Sequence, residues 1–134
     1  MNLFVDTSVW SLALRREKVP VSVEVTLLSQ HLAAGTTILT TGLVLQEILQ
    51  GFQGPKQRDL ILERFTSLPL IVPSLNDHVE AAELRNSCRK KGIQIGTIDA
   101  LLAQICIRHE LYLLTTDRDF GKIASHFPLR LLKS

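Results

Sequence analysis

Four short runs in this chain are apolar or β-branched along their whole length, Leu3 to Val5, Thr36 to Thr40, Leu70 to Val72 and Leu111 to Leu114, and a fifth, Leu129 to Leu132, is broken only by Arg130. A strand with one wet face alternates polar and apolar residues, whereas one buried on both faces reads as an unbroken run. Helical signals fill the gaps. Asp6, Thr7 or Ser8 can cap a helix through Val9, Trp10, Leu12 and Leu14. Residues 15–21 form a charged connection holding Pro20. Residues 22–34 put Val25, Leu28 and Leu32 at helical spacing and stop at Gly35. Residues 42–51 form a helix carrying Glu47, and Gly54-Pro55 restarts another with proline near the first helical position. A long helix over residues 75–91 stops at Gly92, Thr97 opens the next, and residues 117–124 form a short one. The alternation predicts an α/β, three-layer fold, with one parallel sheet of four to five short strands flanked by helices.

At 134 residues the chain is expected to form a single domain, 1–134, with a full core. The 46% hydrophobic and 21% charged fractions are those of a globular protein. No apolar stretch approaches the roughly 20 residues of a membrane helix. No basic segment followed by an apolar core opens the chain, so a cytoplasmic location away from membranes is expected. Cys88 and Cys106 fall in helical stretches and read as small buried hydrophobes. The four scattered histidines offer no zinc spacing. A net charge of +2 permits a nucleic-acid partner without requiring one.

Two of the apolar runs end at aspartate. LFVDTSVW stops at Asp6, and LYLLTTDRDF reaches Asp117. An ionised carboxylate is costly to bury, and functional groups of open parallel sheets gather at the carboxyl ends of strands. Asp6 and Asp117 should therefore project from one edge, and face each other if their strands are neighbours. In TGLVLQEILQG, Glu47 adjoins the apolar face of its helix. In GTIDALLAQICI, Asp99 lies in a helix that is apolar on almost every face, hence central and buried. With Thr97 as N-cap, Asp99 falls in the first turn, where the helix dipole favours negative charge.

Singly, each acid has an ordinary structural role as a cap or an edge residue. Together they pose an electrostatic problem. Two like charges about 4 Å apart repel by roughly 1 kcal/mol in water and roughly 4 at an effective dielectric of 20. Four gathered carboxylates protonate or splay unless a cation sits among them. All-oxygen donors select Mg²⁺ or Mn²⁺, ions most often used with phosphate substrates.

The stretches LFVDTSVW, LVLQEILQG, GTIDALLAQ and LLTTDRDF resemble, in order and spacing, the acidic motifs of PIN-domain ribonucleases. Length and compactness are similar to VapC-type toxins of type II toxin–antitoxin systems. The resemblance spans nearly the whole chain, and its specificity lies in four motifs in order, since each alone is weak. It implies a parallel sheet with surrounding helices, Mg²⁺- or Mn²⁺-dependent endoribonuclease activity on structured tRNA or ribosomal RNA, a homodimer, and a small VapB-type antitoxin lying across the site. By the same resemblance Asp6, Glu47, Asp99 and Asp117 are the catalytic, metal-binding acids. Thr7, Ser8 and Thr116 carry hydroxyls supporting the carboxylates or the substrate phosphate. Asp119 competes with Asp117 for the fourth position; Asp117 is preferred because it follows the strand directly. The implied chemistry is phosphodiester hydrolysis by metal-activated water, leaving a 5′-phosphate and a 3′-hydroxyl.

An acidic pocket needs basic residues around it to hold RNA. Candidates are Arg15, Arg16 and Lys18, the cluster Arg85, Arg89, Lys90 and Lys91, and above all Arg118 beside Asp117. Residues 89–91 also suit a helix C-terminus, where positive charge complements the dipole. Trp10 and Phe120 read as packing residues. Val23, Val25, Leu28, Leu62 and Phe65 read as core that could also dock a partner. A phosphatase of the haloacid dehalogenase type needs a second acid two positions after the first, where this chain has Ser8. A receiver domain needs an acidic pair on its first loop and a lysine after its last strand, and neither is in place. The remaining alternative is a catalytically silent PIN-like module that acts through protein partners.

Overall fold

The structure is a computed structural model that describes residues 1–15 and 22–133. Its sheet has five strands, β1 (Asn2–Val5), β2 (Thr37–Thr41), β3 (Leu70–Ile71), β4 (Tyr112–Leu114) and β5 (Arg130–Leu131). The order is β3-β2-β1-β4-β5, and every pairing is parallel. The helices are α1 (Thr7–Ala13), α2 (Val23–Ala33), α3 (Gly42–Gly51), α4 (Pro55–Phe65), α5 (Leu75–Lys90), α6 (Thr97–Arg108) and α7 (Asp119–Ala124). Right-handed crossovers divide them between the faces. The chain steps β1-β2-β3 one way with α1 to α4 on one face, then returns through β4 and β5 with α5 to α7 on the other. The three-layer α/β reading therefore holds.

The central strands are buried on both faces. Leu3, Phe4, Val5, Leu113 and Leu114 are all fully inaccessible, which is why their runs show no alternation. Trp10 of α1 packs against Phe65 of α4 with ring centroids 4.9 Å apart and planes tilted by 58°. Six residues of α6 are buried, consistent with its all-round apolar sequence. Cys88 and Cys106 are buried, and desolvation pushes both thiols above their ordinary range. Phe120, Leu28 and Phe65 are core residues as expected, whereas Val23 is 54% exposed.

Several boundaries differ from those expected, each for a local reason. Gly96, not Thr97, caps α6: its extended backbone opens the helix without a side-chain bond, and Thr97 is already helical. The last helix begins at Asp119 rather than Asp117, because Asp117 Oδ1 accepts the Asp119 amide at 2.9 Å and acts from outside the helix. Asp117 consequently lies three residues beyond the end of β4, separated from it by Thr115 and Thr116. The connection expected over residues 15–21, with Arg16 and Lys18, falls almost wholly outside the described residues.

Candidate active site

Asp6 follows β1 directly and caps α1, its Oδ1 accepting the Thr7 amide at 2.8 Å. Only 7% of it is exposed. Its Oδ2 accepts the Ser8 hydroxyl at 2.9 Å and the Thr115 hydroxyl at 2.8 Å. The second of these bonds spans 109 residues, and adjacency of β1 and β4 makes it possible: Val5 is in register with Leu114, and the Asp6 amide donates to the Leu114 carbonyl at 3.0 Å. Thr115 Oγ1 also accepts the Asp117 amide at 3.0 Å, while Ser8 Oγ accepts the Thr116 amide at 3.2 Å. The loop after β4 is thus fastened to the start of α1 by two hydroxyls.

Glu47 reaches the same edge from α3, which Thr41 starts by accepting the Val44 amide. Thr7 Oγ1 donates to Glu47 Oε1 at 3.0 Å, joining the glutamate to the Asp6 turn. Asp99, in the first turn of α6, completes the group. Its carboxyl is pushed up to about 6 from 3.8, first by burial and then by the charges of Asp6, Asp117, Glu47 and Asp119 in that order. That ordering brings all four expected acids together and puts Asp117 closer in influence to Asp99 than Asp119, whose carboxylate pairs with Lys122 at 3.4 Å. Among the described residues no lysine or arginine forms an ion pair with Asp6, Glu47, Asp99 or Asp117.

Of the expected hydroxyls, Thr7 and Ser8 hold carboxylates directly, but Thr116 contributes only its amide. The hydroxyl beside Asp6 that sequence reasoning missed belongs to Thr115. Period two along the strand could not single it out, since Thr115 shares a face with Leu113 and Thr116 with Leu114, and both leucines are fully buried. Arg118 is exposed and lines a cleft together with Asp117. Arg85 is tied down by donating to the Ile95 carbonyl at 2.9 Å.

The donor set is all oxygen and, among the described residues, without an ion-paired lysine or arginine, which fits a hard divalent cation. Among the described residues no three His, Cys, Asp or Glu side chains form a ready-made cage. Mg²⁺ bound through one or two carboxylates, with water completing its shell, needs none. An ion held at this edge by Asp6 and Asp99 would supply the polarisation of a phosphate ester and the orientation of a water beside it.

Solved structures share this arrangement of the chain. A chain in the VapBC2 complex of Rickettsia felis bound to promoter DNA is 26% identical and superposes with a TM-score of 0.76 over 98% of both chains. A chain of VapBC-1 from nontypeable Haemophilus influenzae is 15% identical, with a TM-score of 0.76 over 99% of this chain and 98% of that one. VapC20 of Mycobacterium tuberculosis, a toxin that cleaves the sarcin-ricin loop, is 17% identical, with a TM-score of 0.68 over 93% and 95%. No curated protein matches the chain. The model of the PIN domain family matches residues 3–125, from within β1 to just past α7, and so takes in all four acids: the chain belongs to the PIN domain family.

Proposed function

We propose that the chain is a Mg²⁺- or Mn²⁺-dependent endoribonuclease, the VapC-type toxin of a type II toxin–antitoxin pair, acting on structured RNA such as tRNA or ribosomal RNA. One observation carries this reading: Asp99, raised to about 6 first by burial and then by the charges of Asp6, Asp117, Glu47 and Asp119, stands among carboxylates of which, among the described residues, Asp6, Glu47, Asp99 and Asp117 have no ion-pair partner. Family membership and the likeness to VapBC complexes support it. Asp6 and Asp99 are the acids that would hold the ion. When bound, that ion acidifies a water molecule and offsets charge gathering on a phosphoryl oxygen. Glu47 has Oε1 engaged by Thr7, which leaves Oε2 to accept a proton from the attacking water. Asp117, fixed at its amide by Thr115 and at its carboxylate by the start of α7, tunes the charge of the site. Because water rather than the ribose 2′-hydroxyl attacks, the products carry a 5′-phosphate and a 3′-hydroxyl.

An antitoxin of the VapB type and a second copy of the chain are the proposed partners. Leu70, Val72, Leu75 and Val79 are between 47% and 82% exposed along edge strand β3 and the first turns of α5, which suits self-association. The deciding experiment digests labelled tRNA and ribosomal RNA with the purified chain and Mn²⁺. Cleavage is expected to vanish with EDTA and in Asp6→Asn, and end analysis should show 5′-phosphates. Cleavage that survives either treatment, or a 2′,3′-cyclic phosphate at the cut, overturns the mechanism. No cleavage of any RNA, with a small protein co-purifying, would identify the silent binding module instead.

A further inference from the structure

The cleft lined by Asp117 and Arg118 opens at the same rim of the sheet, and the acids account for only one of its walls. It encloses about 540 Å³, within the range of small-ligand sites. Thr115, Thr116 and Asp117 line the side that adjoins the acidic cluster. Leu27 of α2, with Leu131 and Leu132 at the end of β5, forms an apolar wall. Arg118, Lys133 and Glu24 supply polar groups, and Gly121 of α7 also lines the space. Arg118 and Lys133 are exposed and form no ion pair among the described residues, so their charge is available to an anion.

Apolar wall, acceptor carboxylate and paired cations match the parts of one nucleotide. An unstacked nucleotide offers a base with two apolar faces, an exocyclic amino group in adenine, guanine and cytosine that a carboxylate accepts from, and a phosphate that arginine and lysine hold. We propose that this cleft is a nucleotide subsite adjoining the scissile phosphate. The base lies against Leu27, Leu131 and Leu132 with its edge toward Glu24, and the flanking phosphate sits at Arg118 and Lys133. The proposal rests on the ribonuclease reading and gives it a source of sequence preference: the single base that flanks the cut.

Gly121 provides the test. A Cβ there would meet no heavy atom within 4 Å, and its backbone lies outside the left-handed region, so a side chain fits the helix and extends into open space. In one arm, a pool of oligoribonucleotides with a randomised centre is digested with Mn²⁺ by the parent chain and by Gly121→Leu, and the cut ends are sequenced. The parent is expected to show a base bias at one position beside the cut, and Gly121→Leu to flatten it at least tenfold. An unchanged bias overturns the subsite. In the other arm, fluorescence anisotropy follows the same labelled pool on Asp6→Asn protein, with and without Gly121→Leu. A Kd raised tenfold or more supports the subsite, and an unchanged Kd overturns it. Should the parent cut nothing, the nuclease reading falls on its own while the binding arm still decides the cleft. Thermal melting confirms the fold of Gly121→Leu; if it does not fold, Gly121→Ala replaces it, with a smaller change in the same direction expected.

Discussion

The hydroxyl of Thr115 donates to Asp6 and accepts from the Asp117 amide, so one small side chain sets the spacing of two acids. Groups that orient ligating carboxylates typically matter 10–100-fold in metal affinity or activity. Thr115→Val keeps the shape and removes both bonds; cleavage is expected to fall by about that factor, at a stability cost of about 1 kcal/mol, read by initial rates and by urea unfolding. Asp99 gives a pH test. Its value in the fold, about 6, lies above the 3.8 of an unfolded aspartate, so the folded chain binds the extra proton between those values. Stability linked to Asp99 is therefore present in full below pH 3.8 and lost as pH rises through about 6. In metal-free buffer, Asp99→Asn is expected to melt higher than the parent at pH 7, and Mn²⁺ to raise the melting temperature of the parent but not of the variant. The four acids were legible in sequence because a carboxylate is anomalous beside a buried run. Thr115 was not singled out: Thr115 and Thr116 are the same residue type, and which hydroxyl turns inward depends on the pleat continuing past Leu114.

At the scale of elements, α5 and α6 are joined by a second carboxylate with a purely structural role. Ser74 and Asp77 form a reciprocal capping box at the start of α5, and Asp77 Oδ1 accepts from Arg108 in the last turn of α6 at 2.7 Å. Asp77 is 3% exposed, and the Ser74 amide heads the groups that hold its carboxyl below the ordinary value despite desolvation. This contribution has the opposite sign to that of Asp99: it is present above pH 3.8 and lost as pH falls through the lowered value. Asp77→Ala removes the carboxylate half of the capping box and the ion-pair partner of Arg108, at an expected cost of about 1–2 kcal/mol with RNA cleavage retained below the new melting point. Denaturant titration and an activity assay on one preparation check both halves. Helix existence and type were readable from caps and periodicity, as at Gly35, Gly54-Pro55 and Gly92. Ends were less so, because Gly96 and Asp117 stop or start helices from positions whose neighbours, Thr97 and Asp119, are equally good candidates.

Across the whole molecule, sheet order was the part that composition and local pattern could only condition. The apolar runs required a buried parallel sheet, but nothing local stated that β1 lies between β2 and β4. That placement follows from the two crossover directions, and it turns a pattern of isolated acids into one cluster. It also means that the site draws on residue 6, residue 47, residue 99 and residue 117, almost the full length of the described chain. A chain ending at residue 110 keeps Asp6, Glu47 and Asp99 but lacks β4, Thr115 and Asp117. It is expected to show no Mn²⁺-dependent heat in titration calorimetry, and the parent is expected to show it.

The stitch between β1 and the loop after β4 therefore acts as a timer during synthesis. A ribosome that has made three-quarters of this polypeptide holds an unarmed blade, since the strand that completes it has not yet been translated. On the toxin reading proposed above, that interval is the one in which a cell can have the antidote waiting.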